Sequence, residues 1–347
     1  METKSNRNRD FRAAQRAKKD EFYTSYRDIE AELGRYTPHF KGKTVYCNCD
    51  DPKTSNFFRF FIQNFETLGL KKLIATSYRS KSLGSSSEGA PEGAVSLEYN
   101  GSVKGANIAQ LDINSLSGDG DFRSQECIKF LEDADIVVTN PPFSLFREYV
   151  DQLFLYGKQF LILGNMNALT YDEVFPHFRD NQMWYGHSIR SGDREFRVPD
   201  DYPLSAAGTR VNENGEKYIR VKGVRWFTNL EYAGRHRPLE LVRSYSAANY
   251  PKYANFDAIE VGKTKDIPRD YSGLMGVPIS FMDKFSPKQF EIYGSSRSLS
   301  RPMSEIAPKG SYRSGGPRFY LANGDGTYRR MYDRIVIRNL QPEINFT

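Results

Sequence analysis

Apolar residues gather in short continuous runs through the first half of the chain: Val45-Tyr46-Cys47, Leu73-Ile74-Ala75-Thr76, Ile108–Ile113, Ile136–Thr139 and Phe160–Leu163. Runs of this length, bounded by turn residues, predict strands buried on both faces. Between them the apolar positions fall at helical spacing. Asp20-Glu21-Phe22-Tyr23-Thr24 leads into a helix with Tyr26, Ile29 and Leu33 as its apolar positions. An aromatic-rich helix is predicted from about Asn56 to Leu68, and others over Ser124–Leu131 and Leu145–Leu155. Residues 79–105 are rich in Ser and Gly and read as a loop with a hairpin around Val95–Tyr99, and Gly118–Phe122 reads as a turn. Strands alternating with helices predict a doubly wound parallel α/β sheet.

Beyond Tyr171 the texture changes. A helix over Tyr171–Phe178 precedes β-rich stretches that include Glu195–Val198 and Lys222–Leu230. Residues 235–347 are rich in Tyr, Arg, Ser, Pro and Gly, and Tyr328–Arg338 reads as a closing strand with Met331, Ile335 and Ile337 in alternation. No internal repeat is visible. The expected organisation is a flexible basic arm at 1–19, a catalytic domain at 20–234 and a smaller recognition region at 235–347.

Composition narrows the class. The 347 residues are 39% hydrophobic and 27% charged, with aromatics at 14%, so the chain can bury a substantial core. No apolar run approaches the ~20 residues of a membrane span, and the N-terminus is basic and polar, so a cytoplasmic, nucleoid-associated location is expected. Cys47, Cys49 and Cys127 make no disulfide framework, as in a reducing compartment. No second cysteine pair follows Cys47-x-Cys49 and the four His residues are scattered, so no metal is expected. Charge is uneven. Residues 1–19 hold seven cations (Lys4, Arg7, Arg9, Arg12, Arg16, Lys18, Lys19) against two acids, and residues 295–347 hold nine against four. Two basic ends around a slightly acidic middle suit a polyanion, which points to nucleic acid. The N-terminal cations, with Arg313 and Arg329, are the expected DNA contacts.

The string with the most specific chemistry is Asn140-Pro141-Pro142-Phe143, directly after the strand Ile136–Thr139. An amino group on a planar ring is a weak nucleophile, because its lone pair is delocalised into the ring. Holding that NH2 between a side-chain amide oxygen and a backbone carbonyl directs the lone pair at a methyl donor. Asn140 supplies the first acceptor and Pro141 the second, while two prolines stiffen the loop. Phe143 offers a ring face to an extruded base. The implied activity is amino methyl transfer.

Ligands of open parallel sheets lie outside the carboxyl ends of the strands. Asn48-Cys49-Asp50-Asp51 follows the first strand, and its oxygens and backbone NH groups suit the amino-acid end of S-adenosylmethionine. Asp112 and then Asp119-Gly120-Asp121-Phe122 follow the third, where Asp121 is expected to accept from the cofactor adenine and Phe122 to stack on it. Phe22-Tyr23-Thr24 is expected to close over the methionine end, through Tyr23 and Thr24, and Asn140 borders the same ligand. The second strand ends in Thr76-Ser77-Tyr78, with no acid for the ribose hydroxyls.

Asp20–Thr24, Val45–Pro52, Gly118–Arg123, Asn140–Tyr149, Lys263-Thr264-Lys265-Asp266-Ile267-Pro268 and Met275-Gly276-Val277-Pro278-Ile279 together resemble the EcoRI-type adenine-specific DNA methyltransferase family, over roughly residues 18–290. The order of cofactor loop, Asn-Pro-Pro-Phe and recognition region is that of γ-arrangement amino methyltransferases. The resemblance implies a Rossmann-like, S-adenosylmethionine-dependent methyltransferase sheet with a smaller C-terminal target-recognition region. It also implies methylation of the N6 amino group of a flipped-out adenine in double-stranded DNA, in a restriction–modification or DNA-protection role. A cognate restriction endonuclease acting on the same site is left open, and a monomer is expected. The chain departs from the usual pattern in lacking a glycine-rich loop after its first strand.

Alternatives are a methyltransferase for protein glutamine, cytosine N4 methylation, an RNA substrate, and a DNA-binding relic of the fold. The basic ends favour nucleic acid over protein, and an intact Asn140–Phe143 argues against decay. Arg190, Arg194, Asn214, Arg313, Arg318 and Arg329 are candidate base readers, unranked by sequence.

Overall fold

The structure, a computed structural model, describes residues 24–78, 93–102, 111–190, 193–198 and 208–343. The basic arm and Tyr23 lie outside the described residues. The chain divides into two compact units, one formed by the described residues up to Met166 together with Tyr185–Tyr232, the other by Asn167–Trp184 and the chain from Ala233 onward.

The first unit is built on an eight-stranded sheet. Its strands are β1 (Thr44–Cys47), β2 (Lys72–Thr76), β3 (Val95–Tyr99), β4 (Ile113–Ser115), β5 (Ile136–Thr139), β6 (Gln159–Asn165), β7 (Trp184–Tyr185) and, later in the chain, β11 (Val224–Thr228), in the spatial order β4-β3-β2-β1-β5-β6-β11-β7. The centre is parallel: β1 pairs with β2 and β5, and β5 with β6. Every residue of β1 and β5 is buried, as continuous apolar runs in a parallel sheet require. The chain steps from β1 to β2 on one side and reaches β5 on the other, so a topological switch point lies between β1 and β5.

The flanks differ from a doubly wound parallel sheet. β3 runs antiparallel to β2 and β4 antiparallel to β3. A parallel return needs a crossover, usually a helix, and the Ser/Gly-rich stretch after β2 carries no helical period. The strand expected at Ile108–Ile113 is observed at Ile113–Ser115, with residues 108–110 outside the described set. β11 is likewise antiparallel to β6.

Helices cover the sheet. Tyr26–Leu33 starts at a Ser25 cap and buries Ile29 and Leu33, and Asn56–Gln63 starts at Ser55 and buries four phenylalanines. The single helix expected to Leu68 breaks at Asn64, whose side chain donates to the Phe60 carbonyl (2.8 Å); a short turn of helix, Phe65–Leu68, follows and ends at left-handed Gly69. The other large helices are Gln125–Asp133 and Phe146–Leu155. A three-stranded sheet of β8 (Asp193–Arg197), β10 (Lys217–Lys222) and β9 (Thr209–Val211), in that order, completes the unit. Gly223, at φ +70°, splits the expected Lys222–Leu230 strand into β10 and β11.

The second unit holds a four-stranded sheet in the order β12 (Ile259–Glu260), β13 (Met275–Pro278), β17 (Arg334–Asn339), β14 (Phe290–Ser295), and a ribbon of β15 (Tyr320–Ala322) with β16 (Tyr328–Arg330). The closing strand expected over Tyr328–Arg338 is therefore two strands in two sheets, parted at Met331–Asp333. The Tyr171–Phe178 helix shortens to Phe175–Arg179 because Pro176 takes its first turn. Among the described residues no helix is long and apolar enough to cross a membrane.

Candidate active site

Strand register brings the loops that follow β1, β2 and β5 to one edge. Cys47 stands beside Ala75, and Tyr46 beside Val137, so Thr76, Asn48 and Thr139 follow one another across the sheet. Asn48 is 2% exposed. The next residue, Cys49, adopts φ +61°, a left-handed conformation that makes up for the missing glycine turn. This lets the Asp50 amide donate to the Thr76 carbonyl (3.0 Å).

Asp50 ties three elements together. Its carboxylate accepts from Ser55 Oγ (2.8 Å), the cap of the helix Asn56–Gln63, and from Thr139 Oγ1 (2.5 Å), the last residue of β5. The Thr139 hydroxyl also contacts the Asn48 carbonyl. Thr139 is fully buried, and Asn140 follows it directly. The β1 loop and the Asn-Pro-Pro-Phe loop are thus fastened to each other through one hydroxyl.

A second link runs through Tyr149, on the helix Phe146–Leu155. Burial, with Cys49 and Tyr46 nearby, pushes its phenol well above the ordinary value, so it stays protonated and donates to Asn48 Oδ1. That bond fixes the Asn48 amide oxygen on Tyr149 and leaves its NH2 group as the donor. The Phe122 ring meets Tyr149 edge-on at 5.0 Å, so the loop after β4 joins the same cluster. Gly120, at φ +75°, sits so close to the end of β2 that a Cβ there would collide with the Ser77 carbonyl and with Ala94.

The expected ligand residues fare differently. Asn48 and Asp50 are brought together with Thr139. Asp51 Oδ1 accepts from the Lys53 amide (2.9 Å), a local turn. Asp121 is gripped by Arg123 through Nε (2.9 Å) and Nη2 (2.7 Å), and Arg123 reaches on to Glu148 (2.6 Å). Phe122 is 3% exposed, with Arg123 over its ring at 5.3 Å. Pro141 is buried, while Asn140, Pro142 and Phe143 are partly so. The Pro142 carbonyl accepts from Leu145 (3.0 Å), which turns the chain into the following helix. Thr24 is joined to the start of the helix Asn56–Gln63 by Asn56 Nδ2, which donates to its carbonyl (2.8 Å).

Sequence reasoning missed Thr139, Tyr149, Ser55 and Gly120. Only Gly120 carried a local signal, as a glycine between two aspartates. The site's polar atoms fit S-adenosylmethionine: Thr24 Oγ1 is buried with no partner among the described residues, and oxygen acceptors suit an ammonium. Among the described residues no group of three His, Cys, Asp or Glu could hold a metal ion. Arg313 and Arg329 lie in the second unit and are exposed; Arg194 is half-buried and faces Asp28 at 3.9 Å.

The family described as adenine-specific methyltransferase EcoRI matches residues 10–340. The Type II methyltransferase M.EcoRI of Escherichia coli is 51% identical over 282 residues, which cover 80% of this chain and 86% of that protein. M.MpnI of Mycoplasma pneumoniae is 38% identical over 335 residues, 95% of this chain and 98% of its own. M.MgeORF184P of Mycoplasma genitalium is 40% identical over 286 residues, 81% and 84% of the two chains. The chain belongs to the EcoRI family of adenine-specific methyltransferases.

Proposed function

We propose that this chain transfers a methyl group from S-adenosylmethionine to the N6 amino group of an adenine turned out of duplex DNA, with Asn140 and the Pro141 carbonyl as the acceptors that hold the amino group. The general activity, site-specific DNA adenine methylation, follows from the family, and a methyl donor follows with it. The observation that supports the residue assignment is the Thr139 hydroxyl. It joins the Asn48 carbonyl and the Asp50 carboxylate immediately before Asn140, so the two loops that such a reaction needs share one support.

S-adenosylmethionine supplies, when bound, a methyl group on a positively charged sulfur. Tyr23, Thr24, Asn48, Asp51, Asp121, Phe122 and Asn140 are the residues assigned to hold it, and Asp50 is assigned to shape the loop that carries Asn48 and Asp51. Asn140 Oδ1 and the Pro141 carbonyl accept the amino hydrogens of the adenine and turn its lone pair outward. Phe143 stacks on the base, a contact worth roughly 1–3 kcal/mol, against an extrusion cost of a few kcal/mol. Positioning is then the main catalytic contribution. Burial pushes the Cys47 and Cys127 thiols up and keeps them protonated, so neither serves as a nucleophile. The basic arm of Lys4, Arg7, Arg9, Arg12, Arg16, Lys18 and Lys19, together with Arg313 and Arg329 in a C-terminal recognition region, loads the duplex by phosphate contacts. A monomer, and a cognate restriction endonuclease sharing the target, complete the reading.

The test is transfer of tritiated methyl from S-adenosylmethionine to unmethylated duplex DNA, followed by nucleoside chromatography. Label is expected in N6-methyldeoxyadenosine. Asn140→Ala is expected to bind the methyl donor and lose transfer. Wild-type turnover in that variant, or label in another nucleoside, would overturn the assignment.

A further inference from the structure

The helix Phe146–Leu155 meets two loops of the site at once. Tyr149 and Gln152, three residues apart, share one of its faces. Gln152 Nε2 donates to the Phe122 carbonyl (3.2 Å), and the Tyr149 ring meets the Phe122 ring edge-on at 5.0 Å. Arg123, which grips Asp121, is tied to Glu148 of the same helix (2.6 Å). The Tyr149 hydroxyl reaches the other loop and donates to Asn48 Oδ1, just beyond β1. Tyr149 is fully buried, so its ring and its hydroxyl are both held in place.

That contact gives Asn48 a polarity. With its oxygen engaged by Tyr149, the amide presents its NH2 group on the opposite side. Among the described residues nothing accepts from that NH2, although Asn48 is 2% exposed. A buried donor without an acceptor is costly, and a ligand that brings an acceptor relieves the cost. Three residues further along the same loop, the Asp51 carboxylate uses Oδ1 on the Lys53 amide and keeps its other oxygen for a cation. One donor and one acid on a single loop match the carboxylate and the ammonium of an amino acid.

We propose that Tyr149 is a positioning residue that sets the Asn48 NH2 to donate to the α-carboxylate of the methyl donor, and so selects for a ligand that carries that carboxylate. The inference rests on the assignment of this loop to S-adenosylmethionine, and it adds which charge of the amino-acid end Asn48 takes. Tyr149 acts through Asn48. Without the Tyr149 proton the amide is free to turn over, and an amide oxygen facing the ligand repels a carboxylate. Phenylalanine at 149 keeps the ring against Phe122 and removes only the hydroxyl, so the polarity of Asn48 is separable from the packing of the helix.

The experiment is calorimetric titration of the full chain with S-adenosylhomocysteine and with its decarboxylated analogue, which keeps the nucleoside, the sulfur and the ammonium. The proteins are wild type, Y149F, N48A, Y149F/N48A and N48D. Y149F is expected to weaken S-adenosylhomocysteine by about three- to tenfold, the weight of one neutral hydrogen bond, and to leave the decarboxylated analogue unchanged. N48A is expected to lose about tenfold or more for S-adenosylhomocysteine. Y149F should add nothing further in the N48A background, because the two residues act as one unit. N48D gives Tyr149 an acceptor and turns a second carboxylate oxygen on the ligand, so it is expected to reverse the wild-type preference and favour the decarboxylated analogue. Retained binding of that analogue checks that each variant is folded. Equal losses of both ligands in Y149F would make Tyr149 merely structural and overturn the inference alone. An unchanged Kd for S-adenosylhomocysteine in Y149F, or additive losses in the double variant, would do the same. Failure of wild type to bind either ligand would overturn both the inference and the loop assignment beneath it.

Discussion

Thr139→Val tests the join between the two loops with little change of shape. Valine keeps the side-chain volume at a fully buried position and removes only the hydroxyl. That hydroxyl lies 2.5 Å from Asp50 Oδ2 and also against the Asn48 carbonyl, but its single proton serves one acceptor at a time. The loss is therefore one strong bond rather than two. A hydrogen bond to a charged group contributes about 1.5–3 kcal/mol. The other Asp50 oxygen keeps Ser55 at 2.8 Å, so the carboxylate is not stripped of all support. A destabilisation of about 2 kcal/mol is expected, which lowers Tm by about 4–8 °C for a unit of this size.

The effect on ligand affinity separates this account from simple destabilisation. If Thr139 holds the β1 loop in the shape that S-adenosylmethionine needs, its Kd rises by about tenfold or more, equivalent to ~1.4 kcal/mol. Thr139→Ser restores the hydroxyl and should recover affinity even where it leaves a small packing defect. Calorimetric titration with the methyl donor and thermal unfolding of the three proteins provide the readouts. A valine variant with wild-type Tm and wild-type Kd would refute the reasoning, and so would a serine variant as weak as valine.

Three further outcomes are expected. Gly120→Ala puts a Cβ into the Ser77 carbonyl at φ +75°, and the left-handed backbone alone costs about 1–2 kcal/mol, so both Tm and affinity for the methyl donor should fall; unchanged values would show that the loop yields freely. Glu260→Ala leaves Arg334, paired to it at 2.7 Å with both side chains 8% exposed, as an uncompensated buried charge, so the urea transition of the second unit should lose about 3–5 kcal/mol; a loss below 1 kcal/mol would show that the site is open to water. Glu32 is buried and accepts from the His187 amide (2.7 Å), the Ser188 amide (2.5 Å) and Tyr36 (2.9 Å), yet desolvation holds its carboxyl above the ordinary value. Its folded form binds the proton more tightly than the unfolded chain, so its stabilising contribution is present below the ordinary carboxylate range and is lost as pH rises through the raised value. The stability of wild type relative to Glu32→Gln should therefore fall from pH 4 to pH 7, and a flat or rising difference in urea melts would contradict the direction.

What could be read from sequence was what is local. Asn140-Pro141-Pro142-Phe143 is legible because two prolines and their neighbours define one loop whatever surrounds them. The parallel strands were legible because burial on both faces leaves only apolar residues. The supports were not. Thr139 reaches Asn48 across 91 residues and Tyr149 reaches it across 101, and in sequence the first is one more β-branched strand residue and the second one more helix aromatic. The antiparallel edge followed from what residues after β2 lack, a helical period, and an absent pattern is harder to weigh than a present one.

The carboxylates show the same division and sharpen the ligand assignment. Sequence offers Asp50, Asp51 and Asp121 as equal acceptors for a bound ammonium or amine. Their surroundings make them unequal: Ser55 and Thr139 occupy both oxygens of Asp50, and Arg123 takes both oxygens of Asp121. Among the described residues the Asp51 carboxylate accepts only from the Lys53 amide, through Oδ1. Arg123, two residues after Asp121, was a visible competitor, whereas nothing near Asp50 announced Thr139. On these distances Asp51 is the acid with an oxygen to spare, and Asp50 acts by shaping the loop that carries it. Asp51→Asn should then weaken the methyl donor without moving Tm, while Asp50→Asn moves both, and a reversal of that pattern in the same titration and melting experiments would return Asp50 to the ligand.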